Sequence, residues 1–330
     1  AATGIVGASV TILGIMAGKT MIRTGYDTRL SAGLICAGGT LGILIPPSIM
    51  LVVMGPVLEI PVTDLFAAAI MPGILLACLY AAYTTLRCYL NPKLGPVLPA
   101  NEQPTNMAKV WYEFIMGLIP PAGLVFFALG SILFGLATPT EGAGMGAFGA
   151  ILLALAYKKL TLPGLKDALL KTLEITALIM FLVAASNFFG AVFSKLGTPS
   201  LLTDFLLNLE VNRYVILAII MAAIFLLGWP LEWVPIVLIV LPIVLPLVIE
   251  LGFNLTWFAI LVAVNLQTAW LSPPVALSAY FLKGVVPEWD LKDIYLGMMQ
   301  FMVIQVIGLV LIIIFPKIAL WLPGVMYPSP

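Results

Sequence analysis

Apolar runs long enough to cross a lipid bilayer recur along the whole chain, and no other feature narrows its fold so far. Stretches 64–90, 112–136, 141–157, 172–194 and 294–316 each read as a spanning helix, the third of them short. A membrane helix needs about 20 predominantly apolar residues. Only 9% of the residues are charged while 62% are hydrophobic. A soluble domain carries about 25% charged residues, so a water-soluble core of this composition would lack the polar residues to cover it. Membrane-barrel strands are excluded as well, because they are short and alternate polar with apolar, and these runs are apolar all round. The sequence therefore specifies an all-α polytopic membrane protein.

The remaining apolar stretches are short or broken. Residues 1–18 are apolar but too short for an easy crossing. Residues 30–58 are interrupted by Gly38-Gly39 and Pro46-Pro47, and residues 256–285 by Pro273-Pro274. Residues 212–229 and 233–249 are short arms that meet at Gly228-Trp229-Pro230 and read as a re-entrant hairpin. Residues 199–210, with Asp204 and Glu210 among leucines, read as an interfacial helix.

Charge and rare residues exclude several functions. Lys plus Arg is 15 and Asp plus Glu is 15, so no basic field exists to hold nucleic acid. Histidine is absent, which removes Ser-His-Asp and Cys-His catalysis and His-ligated zinc. Cys36, Cys78 and Cys88 form no metal or disulfide pattern and read as small apolar fillers. The chain starts at Ala1 inside an apolar stretch with no basic segment before it. That start reads as part of a longer protein, not as a signal peptide.

The chain matches itself at one nearly constant offset. Gly25 falls on Gly252, Tyr26 on Phe253, Ala32 on Ala259, and Pro46-Pro47 on Pro273-Pro274. With one deletion, Pro61, Asp64 and Leu65 fall on Pro287, Asp290 and Leu291. The first copy then lacks its leading arm, because Ala1 aligns with Gly228. Lys and Arg concentrate on cytoplasmic loops, which orients the copies. Placing Lys19, Arg23 and Arg29 inside also puts Arg87, Lys93, Lys109, Lys158, Lys159, Lys166, Lys171, Lys283 and Lys292 inside. Only Lys195, Arg213 and Lys317 are left outside. On that count the two copies are inverted relative to each other.

The paired breaks carry the functional expectation. A Pro-Pro pair removes two N–H donors and frees carbonyls one turn earlier. In lipid such a break survives only where protein or a wet cavity covers it. Two of them in matching places of inverted halves point to a binding site near the midplane. The local oxygens are neutral and suit a hard monovalent cation such as Na⁺. In the first copy they are the carbonyls of Gly38 and Gly39 and the hydroxyls of Thr40 and Ser48. In the second they are Asn265, Gln267, Thr268 and Ser272. The bland alternative at each break is a proline kink whose hydroxyls bond back to the helix.

Other polar spots have two readings each. Ala137-Thr138-Pro139-Thr140-Glu141 reads as a helix cap, with a substrate or ion role as the alternative. Glu232 beside Trp229 and Trp233 is a functional candidate at membrane depth or a side chain reaching an aqueous face. Tryptophans near chain turns read as interface anchors. Gly142, Gly144, Gly146 and Gly149 read as places where helices approach closely.

The run from Gly38 to Ser48 (GGTLGILIPPS), Ala137–Glu141, and Val264–Thr268 followed by Ser272-Pro273-Pro274 resemble, in order and spacing, the large membrane subunit of tripartite ATP-independent periplasmic (TRAP) transporters. The resemblance covers nearly the whole chain. Gly228–Trp233 is similar to the tip of that family's outer hairpin, although the Trp-Pro pair is less usual there. The family's subunit normally has several helices before the point where this chain begins.

The resemblance implies inverted repeats with re-entrant hairpins and discontinuous helices, working as an elevator-type secondary transporter driven by Na⁺. It implies two partners in the bacterial inner membrane and periplasm, a small membrane subunit and a soluble substrate-binding protein, and a small organic anion, carboxylate or sulfonate, as cargo. Carried over by motif, Na⁺ ligands lie at Gly38, Gly39 and Thr40 with Pro46, and at Asn265, Gln267 and Thr268 with Pro273. Substrate lies between the hairpin tips and the breaks, near Ala2, Thr3, Ser48, Gly228, Glu232 and Ser272.

The expected division has five parts. Residues 1–60 and 196–286 are the two transport-domain halves, and 61–135 holds scaffold-type helices with a cytoplasmic loop. Residues 136–195 connect, and 287–330 form a C-terminal scaffold-type helix. Two other functions stay open on sequence. One is a Na⁺/dicarboxylate symporter of related inverted-repeat fold that needs no binding protein. The other is an intramembrane hydrolase, for which Asp64 and Asp290 are symmetric but placed at opposite faces.

Overall fold

The computed structural model describes residues 4–97, 106–209, 211–273 and 276–327. Ala1, Ala2, Thr3, Glu210 and Pro274, named above, lie outside the described residues. Among the described residues every regular element is helical. Six helices are long and apolar enough to cross a membrane, and the protein is a polytopic α-helical membrane protein. Contacts group the described residues into two compact units. One holds residues up to Val97 and from Ser186 onward; the other holds those between. The helix of residues 62–90 and the C-terminal helices thus share a unit with both breaks.

The first unit is built from one series of elements used twice. In the first copy α1 runs from Val6 to Arg23, with a π-helical stretch at Gly14–Gly18. Then come α2 (Thr28–Thr40), α3 (Ile49–Leu58) and α4 (Val62–Leu90). The second copy has α10 (Trp233–Glu250), α11 (Leu255–Leu271), α12 (Leu277–Val285) and α13 (Leu291–Ile314). Between the copies lie α5 (Met107–Leu133), α6 (Pro139–Ala156), α7 (Leu162–Lys195), α8 (Thr198–Leu207) and α9 (Arg213–Leu227). The final helix, α14 (Lys317–Met326), follows α13 and packs on α4.

The turns repeat in detail. Gly25 and Gly252 both sit at positive φ, +75° and +69°, where an L side chain is strained. Two residues on, Asp27 accepts a hydrogen bond from the Leu30 amide (2.8 Å), and Asn254 accepts one from the Trp257 amide (3.0 Å). Each copy therefore enters its broken helix through a left-handed glycine, an aromatic residue and a side-chain cap. The aligned acids diverge in role. Asp290 caps α13, accepting from the Lys292 amide at 2.9 Å, while Asp64 sits inside the first turn of α4.

Helices α2 and α13 cross at Gly33 and Gly297. A methyl group on Gly297 would run into the Arg29 carbonyl, and one on Gly33 into the backbone of Gly297. Small residues let membrane helices approach this closely. Backbone atoms cannot step aside, so Gly297→Ala is expected to destabilise the fold by about 1–3 kcal/mol. Thermal unfolding in lipid nanodiscs measures this. The exposed Arg29–Asp293 ion pair (2.8 Å) at the same crossing adds little.

In the second unit α5 packs on α6. Gly142 seats Ile132 and Gly149 seats Leu124, as close packing requires. Gly146 makes ordinary contact with Ala128, and Gly144 touches nothing. Thr138 caps α6: its amide donates to Glu141 Oε2 (2.8 Å), and its hydroxyl accepts from the Glu141 amide (3.3 Å). The capping reading of that motif is the one the structure takes. Helix α7 continues through Lys166 and Lys171, well before the apolar stretch begins. Most apolar side chains of these helices, Phe126, Phe148 and Phe181 among them, are exposed within the chain. That suits a surface bathed in lipid or covered by another membrane protein.

Candidate functional site

Both expected interruptions are present. Helix α2 ends at Thr40 and tightens into a 3₁₀ turn at Leu41–Ile43; α3 begins at Ile49. Pro46 is buried and Pro47 exposed in the gap, and a cis peptide bond joins them. Helix α11 ends at Leu271 and α12 begins at Leu277. Pro273 is exposed, and Ala276 sits at φ +35°. Helices α2 and α11 thus each present a carboxyl end, with carbonyls lacking intrahelical partners and a partial negative charge. Helix α11 packs on α2 and α3, and α12 packs on α2, so the two breaks belong to one packed core.

The hydroxyls do bond back to their own chain. Thr40 donates to the Ala37 carbonyl (2.8 Å) and Thr268 to the Asn265 carbonyl (2.5 Å). Ser48 donates to the Ile43 carbonyl and accepts from the Leu51 amide, capping α3. A hydroxyl that gives its proton to a carbonyl keeps lone pairs free. The back-bonding therefore leaves both lone pairs on Thr40 and Thr268, whereas Ser48, which also caps α3, keeps one.

Asn265 is 2% exposed and donates to the Met221 carbonyl of α9 (2.7 Å). Its Oδ1 accepts no hydrogen bond among the described residues. Gly38 and Gly39 lie in the last turn of α2. A side chain on Gly39 would strike Val10, so this glycine lets α1 lie against α2.

A buried polar path connects the two breaks through residues that the motif reading missed. The Tyr80 hydroxyl on α4 neighbours Thr40 and donates to Gln305 Oε1 on α13 (3.2 Å). Gln305 Nε2 donates to Gln267 Oε1 and to the Val264 carbonyl of α11, both at 3.0 Å. Thr40, Gln267 and Gln305 are fully buried, and Tyr80 is 2% exposed. Gln267 Nε2 is buried without a partner among the described residues. The missed signal was an amide in the middle of the apolar stretch 294–316, where a polar side chain needs a partner.

At the hairpin, the bend between α9 and α10 forms a cleft with about 410 Å³ of free space, counting the part open to the outside. Its lining includes Gly228, Trp229, Glu232, Trp233, Leu266 and Trp270. Trp229 Nε1 donates to Ser272 Oγ (3.0 Å), tying the hairpin bend to the second break. Three tryptophans therefore gather at one cleft, where the sequence suggested separate interface anchors. Gly228 and Glu232 line this cleft, and Ser272 is tied to it through the Trp229 indole.

A family model described as "Tripartite ATP-independent periplasmic transporter, DctM component" matches residues 1–318. The chain belongs to the DctM family. Among similar proteins is the C4-dicarboxylate TRAP transporter large permease protein DctM of Pseudomonas aeruginosa, 29% identical over 96% of this chain and 73% of that one. A putative TRAP transporter large permease protein of Haemophilus influenzae is 31% identical over 90% of this chain and 69% of its own length. The sialic acid TRAP transporter large permease protein SiaM of Vibrio cholerae is 28% identical over 94% and 71%. The DctM-family chain is thus a transporter component, not an enzyme, and an integral protein of the bacterial inner membrane.

Proposed function

We propose that this protein is the large subunit of a secondary transporter that couples Na⁺ entry to uptake of a small organic acid. The acid is delivered by a periplasmic binding protein, and a small membrane subunit completes the assembly. The observation that carries this reading is the pair of matched breaks within one packed unit. Each offers carbonyl ends and neutral side-chain oxygens, and one buried polar path joins them. Thr40 with the Gly38 and Gly39 carbonyls serves one Na⁺ position; Asn265 Oδ1 with Thr268 and a lone pair of Gln267 serves the other. The family's description as a tripartite periplasmic transporter supports the two partners. Relatives named for C4-dicarboxylate and sialic acid support an organic acid as cargo. Residues 1–60 and 196–286, which carry both breaks and the hairpin, move as the elevator car against the scaffold-type helices of 61–135 and 287–330.

Uptake by the complete transporter in proteoliposomes, supplied with its binding protein, tests this. Replacing external Na⁺ by K⁺ is expected to reduce uptake at least tenfold, and omitting the binding protein to abolish it. Undiminished uptake in K⁺ contradicts Na⁺ coupling. Undiminished uptake without the binding protein favours a self-sufficient symporter.

A further inference from the structure

Glu232 is the charged residue in the wall of the hairpin cleft, where its side chain is exposed to whatever the cleft admits. It holds the N-cap position of α10 yet accepts no cap hydrogen bond. It makes no ion pair or other hydrogen bond among the described residues. A carboxylate at a helix N-cap ordinarily accepts from the amides of the first turn. Here it lines a cleft with Trp229, Trp233 and Trp270. Indole faces attract organic cations, quaternary ammonium above all. They offer no oxygen shell to Na⁺.

One wall of the cleft is thus negative and aromatic. A plain dicarboxylate would meet the Glu232 charge as a like charge.

We propose that the cleft takes a zwitterion, a small organic acid bearing a fixed, preferably alkylated, ammonium group. The ammonium lies among the indoles and Glu232, and the acid group is the one the transport reading already gives the cargo. This rests on the transport reading above and specifies its cargo.

The test titrates the complete protein in lipid nanodiscs with glycine betaine and with succinate, following tryptophan fluorescence, once in NaCl and once in KCl. Glycine betaine is expected to bind at least tenfold more tightly than succinate. Glu232→Gln is expected to weaken betaine binding at least tenfold and to leave succinate unchanged or tighter. A thermal melt of the variant confirms that it is folded, and Trp233→Leu gives a second reading of the same wall, with betaine weakened more than succinate. Succinate binding as tightly as betaine, no binding of either, or unchanged betaine binding in a folded Glu232→Gln protein each overturns the proposal. Succinate binding that needs Na⁺ while betaine does not bind leaves the transport reading standing and removes the zwitterion. Binding equal in Na⁺ and K⁺ removes Na⁺ coupling whichever ligand wins.

Discussion

Gln305→Leu is expected to destabilise the protein by roughly 3 kcal/mol, because two buried side-chain groups lose their partner at once and the Val264 carbonyl loses its second hydrogen bond. The Tyr80 hydroxyl, the Gln267 amide oxygen and the Val264 carbonyl all bond to this one side chain. An unsatisfied buried group costs about 1–3 kcal/mol, and the sum is not additive because neighbours relax. Leu fits the apolar stretch on either side, so hydrophobicity alone predicts no loss. Adding Tyr80→Phe to Gln305→Leu is expected to recover part of the deficit, since one of the stranded groups is then removed. Thermal melting in nanodiscs measures both. An unchanged melting temperature in Gln305→Leu contradicts the polar path between the breaks.

Asn265→Ala is expected to raise the Na⁺ concentration needed for half-maximal uptake at least tenfold, and Thr268→Ala to raise it less. On the proposed reading Asn265 has two jobs, which one substitution removes together. Its amide nitrogen clamps the Met221 carbonyl, and its Oδ1 is left open to a cation. Asn265→Asp separates them, because it keeps the oxygens and loses the donor. Preserved Na⁺ affinity in the aspartate variant assigns the effect to the oxygen; affinity as poor as in the alanine variant assigns it to the clamp. Sodium-dependent uptake in proteoliposomes gives the numbers, and unchanged Na⁺ dependence in Asn265→Ala removes it from the ligand set.

The helical membrane fold was legible because lipid imposes a simple rule, that a crossing backbone must satisfy itself. Runs such as 64–90 and 294–316 announce their helices by length and lack of charge. The breaks were legible because Pro46-Pro47 and Pro273-Pro274 stand at matching places of the repeat; a Pro-Pro pair alone does not end a helix, since Pro120-Pro121 lies inside the continuous α5. The repeated entry turn was only half visible. Gly25 and Gly252 align as identical letters, while the caps Asp27 and Asn254 do the same job with different residues.

Other features depend on tertiary approach and left no local pattern. Nothing near Gly297 says that its partner is the backbone of α2. Tyr80 and Gln305 lie on helices far apart in sequence, and each alone passes for an isolated polar residue. The short helix α14 escaped notice because its ten residues, with Pro323 inside, are too few to signal a crossing.

Equilibrium binding of radioactive ²²Na⁺ to the purified protein in lipid tests the central claim most directly. The account predicts saturable binding that unlabelled Na⁺ displaces and K⁺ does not, weakened at least tenfold when Thr40→Val and Thr268→Val alter both breaks in a protein that still melts cooperatively. No saturable binding, or binding untouched by the paired substitution, would contradict it.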